Sequence, residues 1–183
     1  MEKNYSDIDY ELLDEKVVYK GKRITVEELH YFNKREGKKL YREHVLAGDG
    51  AIIMPLTEDN ELIMVREPRT PIGKTILAFP AGMIEKGENP EETALRELEE
   101  ETGYKAHYIK KMVSLYSTVG YSNEKTSIFL AKDFEKTQRH LDETEDIEVV
   151  KIPLEDAKRM LDNNEFITTS ETVALLYYFM YQK

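Results

Sequence analysis

Residues 82–104 read GMIEKGENPEETALRELEEETGY, and this stretch decides the fold of the chain. Asn89 is a good N-cap, Pro90 suits the first helical position, and Glu92 completes a capping-box pattern. Gly103 fits the position just past a helix end, where the left-handed conformation is common. The pattern therefore predicts a helix over residues 90–102.

Glutamates crowd one face of this helix. Glu97, Glu100 and Glu101 stand at positions i, i+3 and i+4, so their side chains share a face. Like charges at this spacing destabilise a helix unless a cation offsets them. A solvated acidic face is one interpretation. A site for Mg²⁺ or Mn²⁺, which prefer oxygen ligands, is the other.

The spacing of the surrounding residues separates these interpretations. Seven positions match the pattern Gx5Ex7REUxEExGU of the Nudix box, namely Gly82, Glu88, Arg96, Glu97, Glu100, Glu101 and Gly103. Tyr104 replaces the usual final aliphatic residue. This resemblance implies a Nudix fold of the α/β (α+β) class, with mixed β-sheets between helices. It also implies that Glu88 pairs with Arg96 and that Gly82 and Gly103 have structural roles.

The same resemblance implies a metal-dependent hydrolase that cleaves a pyrophosphate linkage. Glu97, Glu100 and Glu101 are expected to coordinate the metal, helped by the backbone carbonyl of Ala81. Glu97 and Glu101 hold it and Glu100 assists catalysis. Mg²⁺ is the expected cofactor, with Mn²⁺ as the alternative. Water activated by metal and a carboxylate then attacks phosphorus, while metal offsets charge on the bridging and leaving oxygens.

Residues 12–90 resemble one group of the family, the ADP-ribose pyrophosphatases. The matching segments are the strand-rich N-terminal arm, Tyr41-Arg42-Glu43, Val65-Arg66-Glu67-Pro68-Arg69 and residues 79–88. The implied reaction converts ADP-ribose and water to AMP and ribose 5-phosphate. In that group the N-terminal arms exchange between two subunits and help to form the substrate pocket. A homodimer is therefore implied.

Four residues are candidates for contacts with the substrate. Arg66 and Arg69 follow a core strand, where the group has phosphate- or ribose-contacting residues. Arginine suits this task because its planar fork binds phosphate in a bidentate manner. Arg42 is a further candidate, and Tyr121 could stack on a base or ribose. Each of the four is also compatible with an ordinary surface side chain.

An acidic stretch at residues 142–146 supplies the candidate general base. In the ADP-ribose pyrophosphatase group, a glutamate from this loop moves over the bound substrate and acts as base or late metal ligand. Glu143 and Glu145 both match, and the sequence does not choose between them. A loop position suits a residue that must close on a substrate. A solvated acidic loop is the alternative.

Three departures from the group affect substrate recognition. Ala78 stands where the group usually has glutamate, Val119 replaces a marker proline, and Glu67-Pro68 replaces a pair such as Gln-Tyr. None of these departures affects the glutamates of the helix. Another nucleoside diphosphate sugar or a dinucleotide is therefore an alternative substrate. A non-catalytic nucleotide sensor with this fold and an acidic module for a basic partner are further alternatives.

The rest of the chain is expected to form an arm and a domain. Residues 1–46 form the strand-rich arm and residues 47–183 the hydrolase domain. Residues 51–65 are interpreted as a hairpin, and Ser170 as the cap of a last helix over 171–181. Further strands are expected at 76–79, 108–115, 126–130 and 148–152, and a further helix at 154–162.

Composition limits the classes of function. The 183 residues carry a formal charge of −10, which disfavours nucleic acid as a partner. The absence of cysteine excludes disulfides, cysteine-based zinc sites and a thiol nucleophile. No apolar run is long enough to cross a membrane, and the polar N-terminus lacks the pattern of a secretory signal. A cytoplasmic protein is therefore expected.

Overall fold

The computed structural model of the chain describes residues 7–141 and 145–181. Contacts divide the chain into two units, and each is described by itself. The first comprises Met1–Gly48 and Tyr116–Lys125, and the second comprises Asp49–Leu115 and Thr126–Lys183. None of the described helices is long and apolar enough to cross a membrane.

The first unit contains a three-stranded antiparallel meander. Its strands are β1 (Tyr10–Lys20), β2 (Ile24–Asn33) and β3 (Lys38–Ala47), in the order β1-β2-β3. Between β2 and β3 the side chain of Asn33 accepts hydrogen bonds from the backbone of Arg35 and Glu36, at 3.0 and 3.2 Å. Asparagine is favoured at such turns because it can bond to the backbone two residues on. The strands and turns of this meander agree with the expected arm.

The stretch Tyr116–Lys125 belongs to the first unit, which nothing in the sequence indicated. The backbone N–H of Val45 donates to the carbonyl of Tyr121 at 2.8 Å. The backbone N–H of Ala47 donates to the side chain of Asn123 at 3.0 Å. These two bonds hold the stretch beside the end of β3.

The described residues of the second unit form two sheets and three helices. The strands are β4 (Gly50–Pro55), β5 (Glu61–Arg69), β6 (Lys74–Ala78), β7 (Ala81–Met83), β8 (Tyr104–Tyr116), β9 (Lys125–Lys136) and β10 (Glu148–Pro153). The helices are α1 (Pro90–Thr102), α2 (Leu154–Asp162) and α3 (Thr169–Tyr181), with a short 3₁₀ turn at Thr70–Ile72. One sheet has the order β7-β4-β9-β8 and is mixed, because β4 is parallel to β9 and antiparallel to β7. The other sheet, β10-β5-β6, is antiparallel.

Strand β4 separates two layers of core. Because side chains alternate along a strand, Ala51 and Ile53 lie on one face and pack in the same cluster as Ala94 and Leu98 of α1. Ile52 and Met54 lie on the other face, in a cluster with residues of β5, α2 and α3. The mixed sheet therefore lies between helices, and the predicted fold class is confirmed.

The predicted hairpin over residues 51–65 is wrong. Strands β4 and β5 belong to different sheets, and the only ladder-type pairing in the described turn between them is an isolated bridge between Leu56 and Leu62. Residues 51–55 of β4 and 62–65 of β5 are apolar and buried. Each strand pairs with two other strands, β4 with β7 and β9 and β5 with β6 and β10, so the two share no ladder. A run of buried apolar residues carries no alternation that would identify its neighbour.

Helix α1 has the predicted bounds. Asn89 accepts from the backbone N–H groups of Glu91 and Glu92, at 2.9 and 3.1 Å. The side chain of Glu92 accepts in return from the N–H of Asn89 at 2.9 Å. The last helix differs from the prediction, because α3 begins at Thr169 and places Ser170 inside its first turn.

Candidate functional site

Two glutamates of α1 are buried against the core side of the helix. Glu97 and Glu101 are one turn apart, and they are 8% and 4% exposed. A buried carboxylate is costly unless it is paired, hydrogen-bonded, protonated or bound to a cation. Two carboxylates buried next to each other on one helix therefore require a physical explanation.

Glu101 is the more perturbed of the pair. It accepts a backbone hydrogen bond from Ala81, while its Oε2 has no hydrogen-bond partner among the described residues. Burial raises the pKa of Glu101 to about 9, and the charges of Glu97, Glu67 and Glu145 contribute. In the absence of a cation this side chain therefore prefers to keep its proton at neutral pH.

Glu97 lies directly against the backbone of Gly82. A Cβ atom at position 82 would lie 1.8 Å from Oε1 of Glu97, so only glycine leaves room for this carboxylate. Arg96 Nη1 lies 2.8 Å from Oε1 of Glu97. Burial raises the pKa of Glu97, and the Arg96 guanidinium opposes that rise.

Arg96 connects the helix to the loop that precedes it. Its Nε donates to Glu88 at 2.9 Å, its Nη1 to Glu100 at 2.8 Å and its Nη2 to the carbonyl of Met83 at 3.3 Å. Thr93 also donates to Glu88, at 2.8 Å. Hydrogen bonds from Arg96 and then Thr93 lower the pKa of Glu88 to about 2. The expected contact of Glu88 with Arg96 is present, and its role in fixing the loop stays a prediction.

The residues present fit a divalent cation. They supply carboxylate oxygens, one of which is buried and has no hydrogen-bond partner among the described residues. Burial, and then the charges of neighbouring glutamates, raise the pKa of Glu97 and Glu101, although Arg96 opposes the rise at Glu97. Within residues 7–141 and 145–181, no three His, Asp or Glu side chains form a closed cluster for an ion. Glu97 and Glu100 are both bound to Arg96 instead. Glu97 and Glu101 would hold the cation, and Glu100 would have to leave Arg96 to join them.

Of the two candidate bases, only Glu145 lies within the residues that the structure describes. It lies just before β10, and its negative charge raises the pKa of both Glu97 and Glu101. Its carboxylate is therefore within electrostatic reach of the helix carboxylates. Glu143 lies outside the described residues.

Comparison with known proteins identifies the family. The model of the NUDIX domain matches residues 47–170. The chain belongs to this family. It is a Nudix hydrolase, and the resemblance that was inferred from residues 82–104 is confirmed. Nudix hydrolases in general use divalent metal ions.

Several relatives are similar to this Nudix hydrolase over most of its length. An "ADP-ribose pyrophosphatase" of Bacillus subtilis (strain 168) is 38% identical over 164 residues, which are 87% of each chain. A "Methanol dehydrogenase activator" of Bacillus methanolicus is 32% identical and covers 77% of each chain. A solved structure of an "ADP compounds hydrolase" has a TM-score of 0.84 at 26% identity, covering 93% of this chain and 92% of that one.

The two arginines of β5 lie in the same unit as the Nudix helix. Arg66 forms an exposed ion pair with Glu148 at 3.4 Å. Arg69 forms an ion pair with Glu67, whose side chain is only 15% exposed. Both guanidinium groups are about half exposed, so they remain accessible to an anionic ligand.

Arg42 and Tyr121 belong to the first unit. Arg42 is exposed on β3, and its Nη1 donates to the carbonyl of Tyr41 at 2.8 Å. Tyr121 is 55% exposed, and its backbone carbonyl accepts a hydrogen bond from the N–H of Val45. The exposure of both side chains leaves them accessible to a ligand, and their substrate roles stay predictions.

Three further residues near the site are not predicted as site residues from the sequence. Glu67 stands out in the sequence only as a departure from the group, yet its charge contributes to the raised pKa of Glu101. Arg139 donates from Nε to the carbonyl of Glu101 at 2.6 Å and from Nη2 to the carbonyl of Ile147. Glu171 is buried and is the only charged residue between Thr169 and Tyr181, and this lone charge is the one sequence signal that could have revealed it.

Proposed function

We propose that this Nudix hydrolase converts ADP-ribose and water to AMP and ribose 5-phosphate, with Mg²⁺ as the cofactor. The observation that carries the proposal is the buried pair Glu97 and Glu101, with one carboxylate oxygen that has no hydrogen-bond partner within residues 7–141 and 145–181. The choice of substrate is supported by the relative named ADP-ribose pyrophosphatase, at 38% identity. Mg²⁺ is proposed over Mn²⁺ because small hard cations suit carboxylate ligands.

The reaction adds the oxygen of water to one phosphorus atom and breaks that atom's bond to the bridging oxygen. When bound, the cation supplies positive charge to the oxygens of the pyrophosphate and lowers the pKa of the attacking water. Glu97 and Glu101 hold the cation, with Glu100 and the backbone carbonyl of Ala81. Glu145 or Glu143 takes one proton from the water. The leaving phosphate keeps the electron pair of the broken bond.

Arg66 and Arg69 are proposed to contact the phosphates or the ribose. The net charge of −10 repels an anionic substrate at long range, so local cations have to offset that repulsion. Both arginines are half exposed and lie on β5, which pairs with β6. The chain continues from β6 into β7, which lies beside α1. The proposed contact of Arg42 with the substrate rests on the resemblance alone. That of Tyr121 rests on its exposed aromatic ring, which could stack on a base or ribose.

A second candidate function keeps the chemistry and changes the substrate. Ala78, Pro68 and Val119 depart from the ADP-ribose group at positions that affect recognition. The similar solved structure is titled "ADP compounds hydrolase", a name broader than ADP-ribose. Another nucleoside diphosphate sugar or a dinucleotide is therefore the alternative substrate.

A panel of nucleoside diphosphate derivatives, assayed with Mg²⁺ in ¹⁸O-labelled water, tests the proposal. The expected result is the highest kcat/KM for ADP-ribose, with AMP and ribose 5-phosphate as the only products. The position of the label shows which phosphorus is attacked. A higher kcat/KM for a different nucleoside diphosphate sugar or a dinucleotide would support the second candidate. Hydrolysis of none of them would refute both.

We also propose that residues 1–46 act as a dimerisation arm for the hydrolase domain at residues 47–183. The support is a group of large apolar side chains on the arm that are about half exposed, among them Val17 at 53% and Tyr19 at 56%. Exposed apolar groups of this kind mark interaction surfaces. Light scattering is expected to give a homodimer for the wild type and a monomer for Val17→Lys/Tyr19→Lys. A wild-type monomer would contradict the proposal.

The remaining proposals concern location and partners. A cytoplasmic location is supported by the absence of cysteine, and the lack of a nucleic-acid partner by the net charge of −10. Cell fractionation tests the first. A gel-shift assay at low salt tests the second, with no retardation of DNA or RNA as the expected result.

A further inference from the structure

Glu171 is a buried acid that the proposed reaction does not use. It lies in the first turn of α3 and is only 3% exposed. Its Oε1 accepts from the backbone N–H of Phe79 at 3.3 Å. Its Oε2 accepts from the hydroxyl groups of Thr168 and Ser170, the latter at 3.0 Å. Every carboxylate oxygen thus has a donor, which is how a buried acid becomes tolerable.

Phe79, the backbone partner of Glu171, is the first residue of the segment that connects β6 to β7. This segment continues into the Nudix box. We call residues 79–82 the connecting segment. Phe79 is 1% exposed and packs in the core, and the carbonyl of Pro80 accepts from the N–H of Ile53 at 3.0 Å. The first half of the connecting segment is therefore held from two sides, by α3 and by β4.

The second half of the connecting segment meets the two buried carboxylates of α1. Ala81 donates its backbone N–H to Glu101. The backbone of Gly82 lies so close to Glu97 that no side chain fits between them. A shift of a few tenths of an ångström in this backbone would move the groups that support both carboxylates. Glu171 stands at the other end of the same four residues.

We propose that Glu171 is a positioning residue for the metal site, acting through its hydrogen bond to Phe79. The bond anchors the connecting segment, so that Ala81 and Gly82 meet Glu101 and Glu97 in the arrangement that binds a divalent cation. This inference rests on the proposed function only in that Glu97 and Glu101 hold the metal. Partners behind metal ligands orient those ligands, and their loss commonly weakens metal binding by about 10–100-fold.

Two other roles for Glu171 are physically reasonable, and they predict different results. As a negative charge in the first turn of α3, it would stabilise that helix through the helix dipole. As a charge near the site, it would act at a distance on the cation. In either case the hydrogen-bond acceptor at Phe79 would be incidental, and what would matter is the charge.

A pair of substitutions separates the hydrogen bond from the charge. Glu171→Gln keeps an acceptor at the same reach and removes the charge. Glu171→Asp keeps the charge and withdraws the acceptor by one methylene group. Thr172→Val is the matched control, because Thr172 donates to the carbonyl of Thr168 at 2.9 Å on the same helix turn. It perturbs the start of α3 without removing a bond to the connecting segment.

The experiment titrates full-length, metal-free protein with Mn²⁺ and measures free Mn²⁺ by electron paramagnetic resonance, without substrate. Glu171→Asp is expected to raise the Kd by about tenfold. Glu171→Gln and Thr172→Val are expected to stay within about twofold of the wild type. Circular dichroism confirms that each variant is folded. If Glu171→Asp is unfolded, a Kd of Glu171→Gln that is raised tenfold or more still overturns the inference.

Three results would overturn the inference. The first is a Kd for folded Glu171→Asp that equals that of the wild type. The second is a Kd for Glu171→Gln that is raised tenfold or more. The third is an equally large rise in the Kd for Thr172→Val. Failure of the proposed function looks different. In that case the wild-type protein itself binds no Mn²⁺, and the inference falls with the metal site.

Discussion

The carboxylate of Glu97 occupies the space that a side chain at Gly82 would need. A Cβ atom at position 82 would lie 1.8 Å from Oε1 and 2.1 Å from Cδ of Glu97. Real Cβ contacts are essentially never this short, so the carboxylate of Glu97 can occupy this place only if residue 82 is a glycine. The first glycine of the motif is thereby explained by a contact with one of its glutamates.

Substitution of Gly82 is expected to damage the site more than the fold. Gly82→Ala has to displace Glu97 or the backbone by more than 1 Å, and a misplacement of that size can cost about 100-fold in rate. The measurement is kcat/KM together with the melting temperature. Gly50→Ala is the control, because its Cβ would lie an ordinary 3.5 Å from the carbonyl of Gly82. Equal values of kcat/KM for the two variants would contradict the role of Gly82 in leaving room for the Glu97 carboxylate.

Glu88 is expected to make stability depend on acidic pH. Its pKa falls from 4.5 to about 2 on folding, so its contribution is complete above pH 4.5. That contribution is lost as the pH falls from 4.5 towards 2, because the unfolded chain binds the proton first. Glu88→Gln should therefore lower the melting temperature at pH 7 by about 2–4 °C, and the difference should shrink below pH 4.5.

Thermal melts of wild type and Glu88→Gln from pH 7 to pH 3 measure this effect. Glu58→Gln is the control, since Glu58 is an exposed turn residue. A difference between wild type and Glu88→Gln that is constant over this range would show that the hydrogen bonds from Arg96 and Thr93 do not stabilise the charged form.

Arg139 is expected to hold the end of α1. It donates to the carbonyl of Glu101, one of the last carbonyls of the helix, and also to that of Ile147. Cations near a helix C-terminus are favourable, and the two bonds tie the chain before and after the acidic stretch to the helix. Arg139→Ala should lower kcat/KM by about tenfold, the smaller effect expected of a supporting partner.

Hydrogen exchange gives a second measurement for Arg139→Ala. Faster exchange is expected at residues 147–150, next to the lost bond. The control is Lys136→Ala, an exposed substitution at the end of β9. Wild-type activity and exchange in Arg139→Ala would contradict this role.

Glu101 is expected to destabilise the metal-free protein at high pH. Its pKa rises from 4.5 in the unfolded chain to about 9 in the folded one. Stability is therefore lost as the pH rises through this window, because the unfolded chain releases the proton more readily. With a chelator at pH 8, Glu101→Gln should melt at a higher temperature than the wild type. Glu99→Gln serves as the control, and a lower melting temperature for Glu101→Gln would be the contrary result.

Local features of the site could be predicted from the sequence. The bounds of α1 follow from Asn89, Glu92 and Gly103, which act within a few residues of the helix ends. The shared face of Glu97 and Glu101 follows from helical periodicity alone. Their burial does not follow from periodicity. It depends on β7, a three-residue strand that was not predicted.

Long-range features could not be predicted from one sequence. The hydrogen bond between Phe79 and Glu171 joins residues 92 positions apart, and the one between Arg139 and Glu101 joins residues 38 positions apart. The hairpin over residues 51–65 failed for the same reason. Nothing in two buried apolar runs indicates which strands will be their neighbours.

The buried carboxylates of α1 are proposed to hold the metal that the hydrolysis of ADP-ribose needs. The most direct test compares kcat/KM of wild type and Glu101→Gln with ADP-ribose at saturating Mg²⁺. We expect a loss of at least about 100-fold, since losing a ligand should cost no less than losing its supporting partners. The folded fraction should be unchanged. Hydrolysis by Glu101→Gln at the wild-type rate would contradict the claim.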